Sequence, residues 1–170
     1  IIITLLYIKT ATGGQDIHKS AIFGVHTRQQ TKPTYMKVGL FIPCYINAVY
    51  PGVGRASYEL LGRLGCEVDY PLGQTCCGQP MANAGFEKDA RALAEHMDAL
   101  FAQYDYVVGP SASCVVFVRE GYPRLLDNYR EHACVDSRIW EICEFIHDVV
   151  RPAKLDARFP HRVSVHNSCH

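Results

Sequence analysis

Met36-Lys37-Val38-Gly39-Leu40-Phe41-Ile42-Pro43-Cys44 is the stretch on which the fold turns. Its apolar run, Val38–Ile42, is short and bounded by lysine and proline, which predicts a buried strand. Working downstream, Pro51-Gly52 punctuates the chain. Arg55–Leu64 then sets Ala56, Leu60, Leu61 and Leu64 on one helical face. Cys66–Tyr70 alternates as a second strand, closed by Pro71. Phe86–Gln103 is the clearest helix, with Ala90, Leu93, Ala94, Met97, Leu100 and Phe101 at helical spacing. Tyr106–Pro110 predicts a third strand, and Ser111–Ser113 a cap for a helix through Val115–Arg119. Asp136 or Ser137 is expected to cap another helix, its face being Ile139, Ile142, Cys143, Ile146, Val149 and Val150. Arg162–Val165 predicts a fourth strand. Strands alternating with helices imply an α/β fold of three layers, with βαβ units and a mostly parallel sheet.

Upstream of Met36 the pattern breaks down. Residues 1–35 carry Gly13-Gly14 and the polar run Thr27–Lys32, with little periodicity. They are expected to be an extension outside the domain, disordered or an artefact, with an added strand over Ile1–Ile8 as the alternative. The 170 residues suit one ordinary domain, or one domain plus an appendage. Seventeen basic and seventeen acidic residues cancel, which argues against a nucleic-acid binder driven by a general positive field. No apolar run approaches the roughly 18 residues of a membrane span. Ile1–Ile8 makes a poor signal peptide, so the default compartment is the reducing cytoplasm.

Eight cysteines carry the functional signal: Cys44, Cys66, Cys76, Cys77, Cys114, Cys134, Cys143 and Cys169. Placed on the expected elements, Cys44 follows the first strand, Cys76 and Cys77 the second, Cys114 the third and Cys169 the fourth. Ligand sites of open parallel sheets gather at the carboxyl ends of strands. Cys66, Cys134 and Cys143 fall elsewhere, at a strand start, in a linker and on an apolar helix face. They read as structural thiols. Three chemistries compete for the others. A zinc site prefers C-x2-4-C pairs, and a thioredoxin-type redox site needs C-x-x-C. Neither motif is present. An iron–sulfur cluster accepts thiolates from distant loops, and adjacent cysteines can reach different irons. Gly78 would let the backbone approach such a group, and Gly109-Pro110 would shape the third loop.

Pro43-Cys44, Cys76-Cys77-Gly78-Gln79-Pro80 and Pro110-Ser111-Ala112-Ser113-Cys114 together resemble the cysteine-rich CCG domain family. That family includes the B subunit of heterodisulfide reductase and the iron–sulfur subunits of glycolate and glycerol-3-phosphate oxidising systems. The resemblance runs from about Met36 to His170. It implies Cys44, Cys76, Cys77 and Cys114 as ligands of a [4Fe–4S] cluster. Some members end the array with C-x-x-C, but the position three after Cys114 is Phe117. That departure puts heterodisulfide-reducing chemistry in doubt. Members normally carry two copies of the motif, and His166-Asn167-Ser168-Cys169-His170 is similar to the opening of a second. The resemblance therefore implies a first repeat over residues 36–160 and the start of a second over 161–170. Cys169 would be a metal ligand only with the partners of that second repeat.

The resulting expectation is an iron–sulfur electron-transfer subunit of a complex oxidising L-lactate to pyruvate, with other subunits, another iron–sulfur protein among them, as partners. Self-association is expected through the face left by a missing second repeat. A cluster-based thiol or heterodisulfide reductase is the alternative, and a structural module with free thiols or zinc the third reading. Lactate comes from the resemblance alone. Gly52-Val53-Gly54 is only a fragment of a dinucleotide fingerprint, since position 57 is serine. No catalytic residue is assigned. Gln79 and Asn83 are candidate donors around the double cysteine, and Arg119 is read as a helix-surface cation. His96 is expected on the surface, and His166 and His170, which flank Cys169, read as solvated or satisfied histidines, with lining a site there as the alternative.

Overall fold

A computed structural model describes residues 36–127, 131 and 133–164. Four strands form one sheet in the order β2-β1-β3-β4, every pair parallel. They are β1 (Lys37–Leu40), β2 (Glu67–Asp69), β3 (Tyr106–Gly109) and β4 (Ile139–Glu141). The register pairs Val38 with Val68, Gly39 with Val107 and Val108 with Trp140. Between β1 and β2 run α1 (Cys44–Val49) and α2 (Pro51–Arg63). Between β2 and β3 run α3 (Gln79–Asn83) and α4 (Glu87–Leu100), and α5 (Ala112–Leu125) leads toward β4. After β4 comes α6 (Ile142–Phe145), continued by a wider turn over Ile146–Val150.

The strand period of two sorts side chains into two cores. On one face, Phe41, Val107 and Ile139 pack with Ala94, Met97 and Phe101 of α4 and its end, and with Val115, Val118 and Tyr122 of α5. On the other, Val38, Leu40 and Val108 meet Ile46, Val53, Leu61, Ile142 and Phe145. This is the expected three-layer α/β arrangement. Phe41, Phe101, Tyr104 and Tyr122 are fully buried. Truncating any one of these rings to alanine would cost about 3–5 kcal/mol. Two strand glycines make the packing possible. A Cβ on Gly39 would lie 2.6 Å from the Tyr104 ring, and one on Gly109 would lie 2.9 Å from the Phe41 carbonyl oxygen.

Three elements differ from the sequence reading. Helix α2 begins at Pro51 itself, because a proline fits the first helical position, where no N–H is needed. Residues 162–164 are irregular, and Val165 lies outside the described residues, so the expected fourth strand is not formed there. The fourth strand is instead Ile139–Glu141, the start of the segment read as one long helix. Its Ile139 and Trp140 suit a sheet, and Glu141 stops the strand by capping α6. The Glu141 carboxylate accepts from the Cys143 and Glu144 amides at 2.7 and 3.3 Å, and Glu144 reciprocates to the Glu141 amide at 3.4 Å. Buried Asp98 guides the chain into β4 by accepting from the Ala133 and Val135 amides at 2.6 and 2.7 Å. Residues 1–35, and His166, Cys169 and His170, lie outside the described residues.

Candidate cysteine centre

The strand order places β1 and β3 side by side, with their onward connections departing in opposite directions along the sheet. The crevice above such a reversal is where open α/β sheets bind ligands. Cys44 opens α1 just beyond β1, and Cys114 lies in the first turn of α5 just beyond β3. Cys76 and Cys77 arrive from the loop after β2.

That loop is held in place by side chains. The Ile42 amide donates to Gln74 Oε1 at 2.7 Å, and Gln74 Nε2 reaches the Leu40 and Pro71 carbonyls at 3.2 and 3.1 Å. Gln74 thus supplies the ladder partner that β2 stops providing after Asp69. His96 Nε2 lies 2.7 Å from the Gly73 carbonyl oxygen and ties the same loop to α4. The chain then turns at Gly78, whose φ is +90°. A Cβ at that position would also come within 3.1 Å of the Ala90 carbonyl oxygen. Gly78 is therefore required by its left-handed backbone and by close packing on α4. Its amide donates to Cys76 Sγ at 3.5 Å. Below, the buried Tyr122 hydroxyl lies 2.9 Å from the Cys77 carbonyl oxygen and 3.1 Å from Met97 Sδ. Ser113 Oγ donates to Gln79 Oε1 at 2.9 Å, joining the starts of α5 and α3.

The four thiols are brought together, and none is in a disulfide. Cys44 sits against Cys76, and Cys77 against Cys114. Across the pairs, Cys44 feels the charge of Cys114, and Cys77 that of Cys76. Burial grades across the group: Cys77 and Cys114 are buried, Cys76 is half-buried and Cys44 is exposed. The Cys77–Cys114 contact, reinforced by burial, pushes the Cys77 thiol well above its ordinary range. The same contact lowers Cys114 to about 7, against the opposing effect of burial and with help from the Ser111 hydroxyl. Cys44 is raised, chiefly by burial and then by Cys76. Among the described residues no group of three or more His, Cys, Asp or Glu side chains is disposed to hold a single metal ion. The thiols stand as two close pairs, and not as a tetrahedral cage.

The remaining candidates separate from this group. Cys66 is buried against the α2 side of the sheet, and Cys134 sits half-buried at a positive φ of 56°. Cys143, expected on an apolar helix face, is exposed, because α6 starts only at Ile142 and presents Ile142 and Phe145 inward. Gln79 lies beside the double cysteine as expected, whereas Asn83 is exposed at the end of α3. His96 is exposed as expected. Arg119 is not a bare surface cation. It grips Glu144 with two bonds of 3.2 and 2.9 Å, reaches the Ile139 carbonyl at 2.9 Å and lies over the Trp140 ring. Phe117 packs edge-on against Tyr122 at 5.9 Å. Sequence reading missed Gln74, Tyr122 and Ser111 as the supports of the centre. Only the serine carried a signal, as a helix cap.

A parallel α/β domain with thiols gathered at its sheet's carboxyl edge defines the class. Residues 38–119 match the family model described as the CCG cysteine-rich domain. Lactate utilization protein A of Geobacillus sp. (strain WCH70) is 42% identical over 139 residues, covering 79% of this chain and 58% of the relative. The protein of the same name from Geobacillus thermodenitrificans (strain NG80-2) is 43% identical with the same coverage. That from Exiguobacterium sp. (strain ATCC BAA-1283 / AT1b) is 42% identical, covering 78% and 56%. The chain thus spans less than two thirds of these relatives. No solved structure matches it.

Proposed function

We propose that this chain is an iron–sulfur electron-transfer domain serving the oxidation of L-lactate to pyruvate. The observation that carries the iron–sulfur reading is the convergence of four free thiols from three adjacent strand ends in two close pairs. Cys44, Cys76, Cys77 and Cys114 would hold the group. The donor set is all sulfur, which suits iron–sulfur chemistry better than a hard cation. Adjacent Cys76 and Cys77 suit a wide inorganic core better than one small ion. When bound, a [4Fe–4S] cluster supplies one-electron transfer. The protein's part is to fix the thiolates through Gln74, Gly78 and Tyr122, and to direct the Gly78 amide at a ligand sulfur. Phe117 fills the place of a further cysteine and weighs against the reductase alternative.

Lactate is supported by the name borne by the relatives. The same reading makes residues 36–160 the first of two cysteine-rich repeats, with 161–170 opening the second and Cys169 a ligand there. Partners are then the other subunits of the lactate-oxidising system, another iron–sulfur protein included, in the cytoplasm. No helix among the described residues is long and apolar enough to cross a membrane. Tyr45 and Val49 on α1, Tyr50 between α1 and α2, and Met81 on α3 are exposed, where a second repeat, or a second copy of this chain, would find an apolar surface.

Anaerobic reconstitution with iron and sulfide tests the reading. About four irons and four sulfides per chain are expected, with loss in a Cys76→Ser, Cys77→Ser variant. Iron uptake that survives the double substitution would overturn the ligand assignment. A chain that takes up zinc with no redox signal would support the structural alternative.

A further inference from the structure

Helix α1 carries Cys44 as its first residue, and little holds it down. Six residues are too few for a helix to be stable by itself. No side chain caps its start, and of its residues only Ile46 is buried. Opposite it stands a fixed point. Gly109, Pro110 and Ser111 are all buried at the end of β3, and the Ser111 carbonyl opens α5 by accepting from the Val115 amide at 3.0 Å. Ser111 occupies the N-cap of α5, where serine ordinarily turns its hydroxyl onto an amide of the first turn. Here it makes no such capping bond. Its oxygen instead accepts from Tyr45 Oη at 3.1 Å, across 66 residues of chain. Tyr45 is 43% exposed and Ser111 3%. The tyrosine therefore reaches from the surface to a buried partner on the neighbouring strand end.

We propose that Tyr45 is a strap: its bond to Ser111 fastens α1 across the ends of β1 and β3, keeps Cys44 over the same edge as Cys114, and sets how long a group held there is retained. The last clause rests on the iron–sulfur reading above, whereas the fastening itself does not. Tyr45 follows Cys44 directly, so it acts as a positioning residue through the backbone they share. Of the four thiols Cys44 is the exposed one, on a short helix with one buried anchor. Local opening starts where few buried contacts resist it. Cys44 is therefore the first ligand to let go, and the Tyr45–Ser111 bond is what opposes its release.

The test begins without metal. The reduced chain is pulsed with iodoacetamide, and Cys44, Cys143 and Cys66 are followed by peptide mass mapping. Tyr45→Phe should speed Cys44 labelling by about 2–10-fold, the weight of one hydrogen bond. Exposed Cys143 should be unchanged and buried Cys66 should stay slow. Ser111→Ala should match Tyr45→Phe, the double variant should add nothing further, and Ser111→Thr, which keeps a hydroxyl, should label like the parent. Unchanged Cys44 labelling overturns the strap, as does faster labelling of all three cysteines or single effects that multiply in the double variant. Tyr45→Phe, at a half-exposed ring, decides the matter if Ser111→Ala does not fold. On the reconstituted chain, iron release to excess ferrous chelator should quicken in Tyr45→Phe by the same factor, and an unchanged release rate overturns the strap's hold on the bound group. A parent chain that binds no iron overturns the cluster reading, while the fastening of α1 still stands or falls by the labelling.

Discussion

The carboxyl ends of β1 and β3 and the carboxyl end of β4 belong to one sheet edge, yet they are built differently. Each is followed within a few residues by a cysteine: Cys44, Cys114 and Cys143. Above β1 and β3, uncharged groups are aimed at the thiols and their loops. Gln74 clamps the backbone, Gly78 donates toward sulfur, and Tyr122 holds the Cys77 carbonyl. Above β4 the polar groups satisfy one another. Glu141 and Glu144 form a capping box, Arg119 closes on Glu144, and Cys143 is left exposed. A thiol at a strand end is therefore not enough. What distinguishes the candidate centre is that its surroundings are committed to holding sulfur.

The comparison can be broken most forcefully at Gly78. Gly78→Ala forces a side chain onto a left-handed backbone and against α4, and should cost about 1–3 kcal/mol. Urea unfolding under reducing conditions would show the loss, and reconstituted iron should fall with it. A neutral substitution would mean that the loop relaxes freely and is not held for a purpose. Next, Gln74→Leu removes three hydrogen bonds, two of them at the end of β1, and leaves the Ile42 amide without its partner. A loss of about 1–3 kcal/mol is expected, again with reduced iron loading.

The β4 side should respond weakly. Glu144→Gln weakens a half-exposed ion pair, with an expected cost below about 1 kcal/mol. It should leave iron content unchanged. A large drop in iron would show that the two halves of the edge are coupled through α5. Smallest of all, Cys143→Ser at an exposed position should stay within about 0.5 kcal/mol of the parent. Its iron-to-protein ratio should be the same. An iron deficit there would enlarge the centre by one thiol and erase the distinction.

Much of this was legible before any coordinates. The apolar runs Val38–Ile42 and Tyr106–Val108 read as buried strands, and the spacing Ala90, Ala94, Met97 as one face of a helix. The segment Ile139–Val150 misled, because a short apolar run carries both periods until something stops the strand. Here the stop is a glutamate cap, a residue less often read as one than serine or aspartate. Helices α1 and α3, of six and five residues, are too short to leave a periodic signal. The serine at position 111 was legible as a cap, but its turning away from that role was not.

The sequence by itself determined the alternation of strand and helix, the parallel sheet, and the candidate cysteines at Cys44, Cys76, Cys77 and Cys114 beyond three strands. Those follow from local periodicity and chain order. Only the tertiary structure decided which strand ends are neighbours, that Cys44 pairs with Cys76 and Cys77 with Cys114, and that Gln74, Tyr122 and Ser111 serve the same edge. The physical reason is separation along the chain. Hydrogen bonds such as Gln74 to Leu40, Tyr45 to Ser111 and Tyr122 to Cys77 join residues 34, 66 and 45 apart, and no local pattern encodes a partner at that distance.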